Sequence, residues 1–327
     1  MSNSSLSIVF MGTPEFAVAS LDALVKSRHE VLAVVTAPDR PASRGLKLQQ
    51  SAVKEYALQH DLPVLQPEKL KDESFINELK KLNPDLIVVV AFRMLPEVVW
   101  KLPKYGTINL HASLLPNYRG AAPINWAIIN GEEITGVTTF FINQVIDKGN
   151  VLMCKQVNID EDDNAGSLHD KLMSGGADLL IQTVDSIADD NHSKGTSQDN
   201  LERDYSLEQL KPAPKIFKAD CKIDWNKPAK EVRNFIRGLS PYPAAWTEIA
   251  NKEGKKLVMK IFASEVKPDI VLPPGKLNVV DSIHIYIGCK DVAVEITKLQ
   301  LEGRKTMPVA DFLRGFRLEE EGYSIKM

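Results

Sequence analysis

Cysteine is scarce in this chain: Cys154, Cys221 and Cys289 are the only three in 327 residues, they lie far apart, and none belongs to a CxxC pair. An odd, scattered set argues against a disulfide framework and against a zinc ribbon, and all three read as structural residues in strand-like or loop contexts. Long apolar runs are also missing. None approaches the roughly 18 to 20 residues that a bilayer requires. The opening MSNSSLSIVFMGTPEF lacks the basic region and apolar core of a signal peptide, so the chain is expected in the cytoplasm, away from membranes. Charge is not in excess: 25% charged and 44% hydrophobic residues with a formal net charge of -3 fit a soluble globular protein and exclude disordered and fibrous classes. The first turn after a strand, GTPEF, lacks the GxGxxG fingerprint, with Pro14 and Glu15 where permissive glycines would stand. A dinucleotide oxidoreductase is thereby disfavoured, and a tight turn into a Pro-initiated helix explains the segment without a ligand.

What is present is an alternation. LSIVFMG reads as a strand, FAVASLDALVK as a helix, EVLAVVTA as a strand, VKEYALQH and FINELKKL as helices, and PDLIVVVAF as a strand. Strands alternating with helices imply a parallel sheet covered on both faces, an α/β fold. GTINLHASLLP adds a further strand, APINWAIIN a helix, GVTTFFI and NVLMCKQVNI two strands, and a long helix is expected from about Ala165 to Ile187. A polar stretch without apolar periodicity, ADDNHSKGTSQDN, then reads as a connector. The expected division is a first domain over residues 1–189, a linker over 190–206 and a second domain over 207–327. In the latter, KEVRNFIRGL reads as a helix, and AWTEIA, KLVMKIFASEV, IHIYIGC and AVEITKLQL as strands of a small β-barrel. Charge is uneven between the parts: residues 207–327 hold 21 Lys and Arg against 16 Asp and Glu, whereas residues 1–206 hold 19 against 27. A basic balance fits a phosphate-bearing partner only if the positive charges cluster.

The candidate chemistry lies in TINLHASLLPNYRGAAPINW. Asn109 and His111 stand two apart at a strand end and so point to one face, where α/β sheets place their ligands. An amide beside an imidazole offers a donor for a developing oxyanion and a group that exchanges protons near neutral pH. The loop DRPASRGLKLQQ is long and basic, and Arg40, Arg44 and Lys47 could meet phosphate or simply be solvated.

The string NLHASLLPNYRGAAPI, with MGTPEFAV and TAPDRPASRG, resembles the formyltransferase family, and LKLQQSAVKEYA, ITGVTTFFI, IDKGNVL and GRKTMPVADFLRG continue the resemblance in order across both domains. The resemblance implies a Rossmann-like N-terminal catalytic domain and a C-terminal oligonucleotide-binding-like β-barrel. It implies transfer of formyl from 10-formyltetrahydrofolate, as co-substrate, to methionyl initiator tRNA for translation initiation, by a monomer that needs no metal. Carried over by motif, the catalytic set is Asn109, His111 and Asp147, the folate contacts are Ser113, Leu114, Leu115 and Pro116, and Arg44 meets the tRNA acceptor end. Asp147 has a plainer reading, as the turn residue of IDKGN that bonds backbone amides. Two departures stand out. VVVAFRMLP carries Arg93 in a neighbourhood where related enzymes have Gly after an aromatic residue, and INQVIDKGN lacks the acidic and glycine residues that often precede the aspartate. Both bear on the folate pocket.

Other readings share parts of this pattern. A formyltransferase acting on an amino sugar nucleotide or on glycinamide ribotide would share fold and trio, but would have no use for a lysine-bearing barrel. An idle RNA-binding module would leave Asn109, His111 and Asp147 unexplained.

Overall fold

The computed structural model describes residues 4–41, 48–189, 194–202, 210–318 and 320–326. In chain order, β1 (Ser7–Gly12), α1 (Glu15–Val25) and β2 (Glu30–Val35) come first. The short pair β3 (Arg40–Pro41) and β4 (Leu48–Gln49), α2 (Ala52–Gln59) and β5 (Val64–Leu65) follow, then α3 (Glu73–Leu82), β6 (Leu86–Val90) and α4 (Glu97–Trp100). After these come β7 (Thr107–His111), α5 (Pro123–Ile129), β8 (Ile134–Phe141), β9 (Val151–Asn158), α6 (Ala165–Ala188) and α7 (Gln198–Glu202). Contacts divide the chain into two units: residues 1–120, 134–158 and 169–213 form the first, and residues 121–133, 159–168 and 214–327 the second.

The first unit is built on one sheet in the order β5-β2-β1-β6-β7-β8-β9. Its members from β5 to β7 run parallel, while β8 and β9 are antiparallel additions. The parallel strands are apolar throughout because helices cover both faces: every residue of β6 is buried, as are Ile8 to Met11 of β1. Sequence order reverses direction between β1 and β6, which makes the carboxyl ends of these strands the switch point where such sheets bind ligands. Gly12 ends β1 there, and its glycine is a packing requirement: a Cβ would come within 2.7 Å of Ala17 Cβ and 3.1 Å of the Val90 carbonyl oxygen. Pro14 caps α1 in extended conformation, so the GTPEF turn needs no nucleotide to explain it.

The second unit holds α8 (Ala229–Gly238), β10 (Ala245–Ala250), β11 (Lys256–Lys267), β12 (Leu277–Val280), β13 (His284–Gly288), β14 (Ala293–Leu301), β15 (Met307–Pro308), α9 (Val309–Gly315) and β16 (Ser324–Lys326). Its antiparallel sheet runs β12-β13-β14-β11-β10-β16, with β15 on β14, a half-barrel around a core that includes Trp225, Met259, Ile261, Leu299 and Phe312. Trp225 is 1% exposed and donates its indole N–H to Thr247 Oγ1 at 3.1 Å, so its one polar atom is satisfied inside the core. Helix α5 packs on α8 within this unit: the Asn125 amide donates to the Gly238 carbonyl at 2.8 Å, and a Cβ on Gly131 would meet Asn234 Nδ2 at 2.9 Å. Strands β12, β15 and β16 and helices α7 and α9 go beyond the sequence reading. The two-residue β15 and three-residue β16 are too short to carry a period.

Cys221 and Cys289 are buried, and burial pushes the Cys289 thiol up to about 12, so both sit in the core as inert residues. Cys154 is different. It is exposed on β9, and the structural role read for it does not hold.

Candidate functional site

Strand β7 ends at the switch-point side of the sheet, paired in parallel with β6 and antiparallel with β8, so that Asn109 stands opposite Phe140 and His111 opposite Thr138. His111 is 7% exposed. Its Nε2 lies 2.9 Å from the carbonyl oxygen of Tyr118. A carbonyl only accepts, so Nε2 carries a proton, and in the neutral form of the ring this tautomer leaves Nδ1 bare. That bare nitrogen faces Asp147 Oδ2 at 4.0 Å. The Asn109 side chain is half-buried and makes no hydrogen bond among the described residues, which leaves its amide free to donate. The structure thus brings His111 and Asp147 together, with Asn109 two residues back on the same strand.

Asp147 lies on the β8–β9 connection in the left-handed region, at φ 52°. Aspartate tolerates this conformation better than most residues, and at such places backbone strain commonly accompanies function. The connection is held from several directions. The Gly120 N–H, from outside the IDKGN turn, donates to Asp147 Oδ2 at 3.0 Å, while the Asp147 carbonyl accepts from Arg119 Nε at 3.1 Å and Gln198 Nε2 at 2.9 Å. Gln198 also donates to the Gly149 carbonyl at 2.8 Å, and the Arg119 guanidinium pairs with Glu202 at 2.7 Å. Gly149 is required by space: a Cβ would fall 1.5 Å from the Phe141 carbonyl oxygen.

The SLLP segment turns sharply after β7. Thr138, fully buried, donates to the Ser113 carbonyl at 2.7 Å and accepts from the Leu115 N–H at 3.2 Å, pinning the segment to β8. The side chains of Ser113 and Leu115 face inward. Ser113 Oγ donates to the Asn117 carbonyl at 2.7 Å, and Leu115 packs with Phe140, Val151 and Leu201. Pro116 is buried and Leu114 half-buried, its Cδ2 2.5 Å from where a Cβ on Gly136 would stand. Leu114 and the backbone are therefore what this segment offers a ligand.

Arg44 and Lys47 lie outside the described residues; Arg40, exposed, begins the β3–β4 pair. Arg93 has a structural task. It donates to the carbonyls of Pro67 and Glu68 and lies over the Phe92 ring at 5.5 Å. Two residues before it Ala91 takes φ 47°, a conformation that glycine adopts more easily. Residues that the sequence reading did not single out are Arg119 and Gln198. Arg119 was visible within the YRG motif. Gln198, 1% exposed, gave no signal, because a glutamine in a polar stretch looks solvated. Among the described residues no group of three or more His, Cys, Asp or Glu side chains could hold a metal ion.

Comparison with known proteins follows this geometry. A family profile described as formyl transferase matches residues 6–184, and one described as formyl transferase, C-terminal domain, matches residues 215–317. The methionyl-tRNA formyltransferase of Bacteroides fragilis is 52% identical over 321 residues, 98% of each chain. That of Flavobacterium johnsoniae is 50% identical over 317 residues, 97% of this chain and 98% of its own. Among solved structures, HypX of Aquifex aeolicus in complex with tetrahydrofolic acid is similar with a TM-score of 0.62 and 20% identity, covering 95% of this chain and 47% of that one. WlaRD, a sugar 3N-formyl transferase, has a TM-score of 0.62 and 18% identity, covering 92% of this chain and 99% of its own. At these identities the structural likeness speaks for the fold alone.

Proposed function

The chain belongs to the formyl transferase family, and from that premise we propose that it transfers formyl from 10-formyltetrahydrofolate to the amino group of methionyl initiator tRNA, giving N-formylmethionyl-tRNA for translation initiation. One observation carries the choice of acceptor: relatives named methionyl-tRNA formyltransferase align at 52% identity across 98% of this chain. The co-substrate is a formyl-folate and the acceptor is tRNA.

The roles of the residues follow from the reaction. The aminoacyl nitrogen attacks the formyl carbon, a tetrahedral centre forms with charge on its oxygen, the bond from that carbon to the folate nitrogen breaks, and one proton leaves the attacking nitrogen while one reaches the departing nitrogen. We assign the Asn109 amide, which has no hydrogen-bond partner among the described residues, to the developing oxyanion. His111, with Nε2–H fixed on Tyr118, presents Nδ1 as the atom that takes up a proton. Asp147 Oδ2, 4.0 Å from that atom, stabilises positive charge as it develops on the ring during proton transfer. The proton that Nδ1 takes from the attacking amine is the one returned to the departing folate nitrogen, and Asp147 supports the ring between the two transfers. Folate would lie along residues 113–116, meeting Leu114 and peptide edges. Arg44 would meet the acceptor end of the tRNA. Residues 1–189 would carry the chemistry and 207–327 the tRNA surface, joined by 190–206. The proposal includes a monomer working in the cytoplasm without a membrane partner; no described helix is long and apolar enough to cross a membrane.

The test is direct: the protein is incubated with charged initiator tRNA and 10-formyltetrahydrofolate, with an amino sugar nucleotide as parallel acceptor, and products are weighed. Formylmethionine on tRNA supports the assignment. Formyl on the sugar nucleotide alone overturns it.

A further inference from the structure

The second unit contains a cleft of about 640 Å³ that the catalytic scheme does not use. Three lysines line it, Lys215, Lys218 and Lys260, against one carboxylate, Glu302, which is already engaged by the Val258 N–H at 3.1 Å. Among these cations stand two aromatic rings. Trp246 is fixed by its indole N–H on the Lys218 carbonyl at 2.9 Å. Tyr242 is 82% exposed, and its hydroxyl has no hydrogen bond among the described residues. A single exposed ring is ordinary, but Tyr242 shares this cleft with Trp246, and clustered aromatic surface rimmed by charge marks an interaction site. The turn that follows α8 projects it: the Ala244 N–H returns to the Leu239 carbonyl at 2.9 Å, and Ala244 holds φ 75°, a left-handed conformation unfavourable for alanine. Beside the cleft, Lys215 Nζ lies 5.3 Å from the ring of Phe217, itself 59% exposed.

We propose that this cleft is a subsite for an unpaired stretch of RNA, with one base lying on the Tyr242 ring and the flanking phosphates meeting Lys215, Lys218 and Lys260. Exposed aromatic faces interleaved with cations are the chemistry that binds single strands, because each unstacked base has a face to lay down and each phosphate a charge to neutralise. A volume near 640 Å³ is that of a site enclosing one small ligand. It admits a nucleotide or two and not a duplex, whose bases are stacked on one another. The lysines outnumber the one carboxylate, so the charge matches a phosphodiester. This inference rests on tRNA being the acceptor, and it refines that reading by naming the surface and the kind of strand it takes.

The full chain is titrated with initiator tRNA, with a single-stranded RNA of about six nucleotides, and with a blunt duplex of the same sequence, over a range of salt. Tyr242→Ala weakens the single strand and the tRNA by about 5- to 100-fold, leaves the salt slope unchanged and spares the duplex; Tyr242→Trp restores binding. Lys215→Gln, Lys218→Gln and Lys260→Gln each flatten the log–log salt slope for the single strand by about 0.7. Thermal unfolding reports that each variant is folded. Parent-like binding by Tyr242→Ala, or an equal loss for duplex and single strand, overturns the inference, and if the parent still formylates methionyl-tRNA then the function stands without it. A parent that neither binds nor formylates tRNA removes the acceptor reading itself.

Discussion

Replacing Asp147 by Asn isolates charge from shape. The amide oxygen can still accept the Gly120 N–H, now at 3.0 Å from Oδ2, and the Asp147 carbonyl keeps its bonds from Arg119 and Gln198 because these are to backbone. What disappears is a negative charge 4.0 Å from His111 Nδ1, in a place where the two side chains are only 8% and 14% exposed. At that separation a pair of full charges interacts by about 4 kcal/mol at an effective dielectric near 20, and a ring carrying half a charge in the transition state by about 2 kcal/mol. At 1.36 kcal/mol per factor of ten, kcat should fall about 30- to 1,000-fold. Single-turnover transfer from 10-formyltetrahydrofolate to methionyl-tRNA, with both substrates saturating, measures the chemical step. The melting temperature should stay within about 4 °C of the parent, since the amide keeps the Gly120 bond and both backbone bonds remain, leaving a change of about 1 kcal/mol. Because Asp147 acts through His111, the double variant with His111→Ala should be scarcely slower than His111→Ala alone. Turnover within about threefold of the parent, or losses that multiply in the double variant, would refute this account.

Three further outcomes follow. Gln198→Ala removes both bonds that hold the carbonyls of Asp147 and Gly149 and should lower kcat about 10-fold with folate binding kept, each bond being worth about 1 kcal/mol; unchanged kcat would show that the connection holds itself. Gly149→Ala sets a Cβ 1.5 Å from the Phe141 carbonyl and forces the β8–β9 connection apart, costing about 2 to 4 kcal/mol in urea unfolding, so a neutral result would mean that the turn moves freely. His29 tests pH. Its Nδ1 accepts the Leu6 N–H at 3.2 Å, so the folded ring is neutral, and burial, opposed by Asp185, pulls its pKa below the ordinary 6.5. The unfolded chain therefore binds the proton more readily, and the contribution of His29 is complete above about pH 6.5 and lost as pH falls below it. His29→Gln should flatten urea midpoints between pH 7.5 and 5, and an equal slope in both proteins would clear His29 of the effect.

The first sheet was legible because its strands are short apolar runs closed by Gly, Pro and Asp, and because β7 announces Asn109 and His111 by a spacing of two. Helix α6, expected from Ala165 to Ile187, forms over Ala165–Ala188 because its apolar period runs unbroken. Other parts of the site were written in a form that one-dimensional patterns do not register. Gln198 comes from a stretch read as a polar connector; it is buried because backbone carbonyls of a distant loop meet it, and no local property of SQDN encodes that. Arg93 reads in sequence as a departure bearing on a pocket, yet it is tied to the carbonyls of Pro67 and Glu68, partners 26 and 25 residues earlier. Ser113 and Leu115 belong to a motif that suggests ligand contact, while their side chains point into the protein and only burial could reveal it.

The path of the chain between its two units has a consequence for synthesis. Helix α5 leaves the ribosome ahead of β8, β9 and α6, yet the helix it packs against, α8, is about 100 residues further on. At roughly 5 to 20 residues per second, α5 waits about 5 to 20 s for its partner. During that interval Ala127 and Ile128, buried in the finished protein, have no apolar neighbour from α8. Nascent chains stalled between residues 200 and 240 should accordingly bind holdase chaperones through this helix, and release should coincide with the emergence of α8. Slow codons placed just before residue 229 would prolong the exposure and lower the yield of soluble enzyme, whereas the same codons after β14, when α8 has left the ribosome, would not.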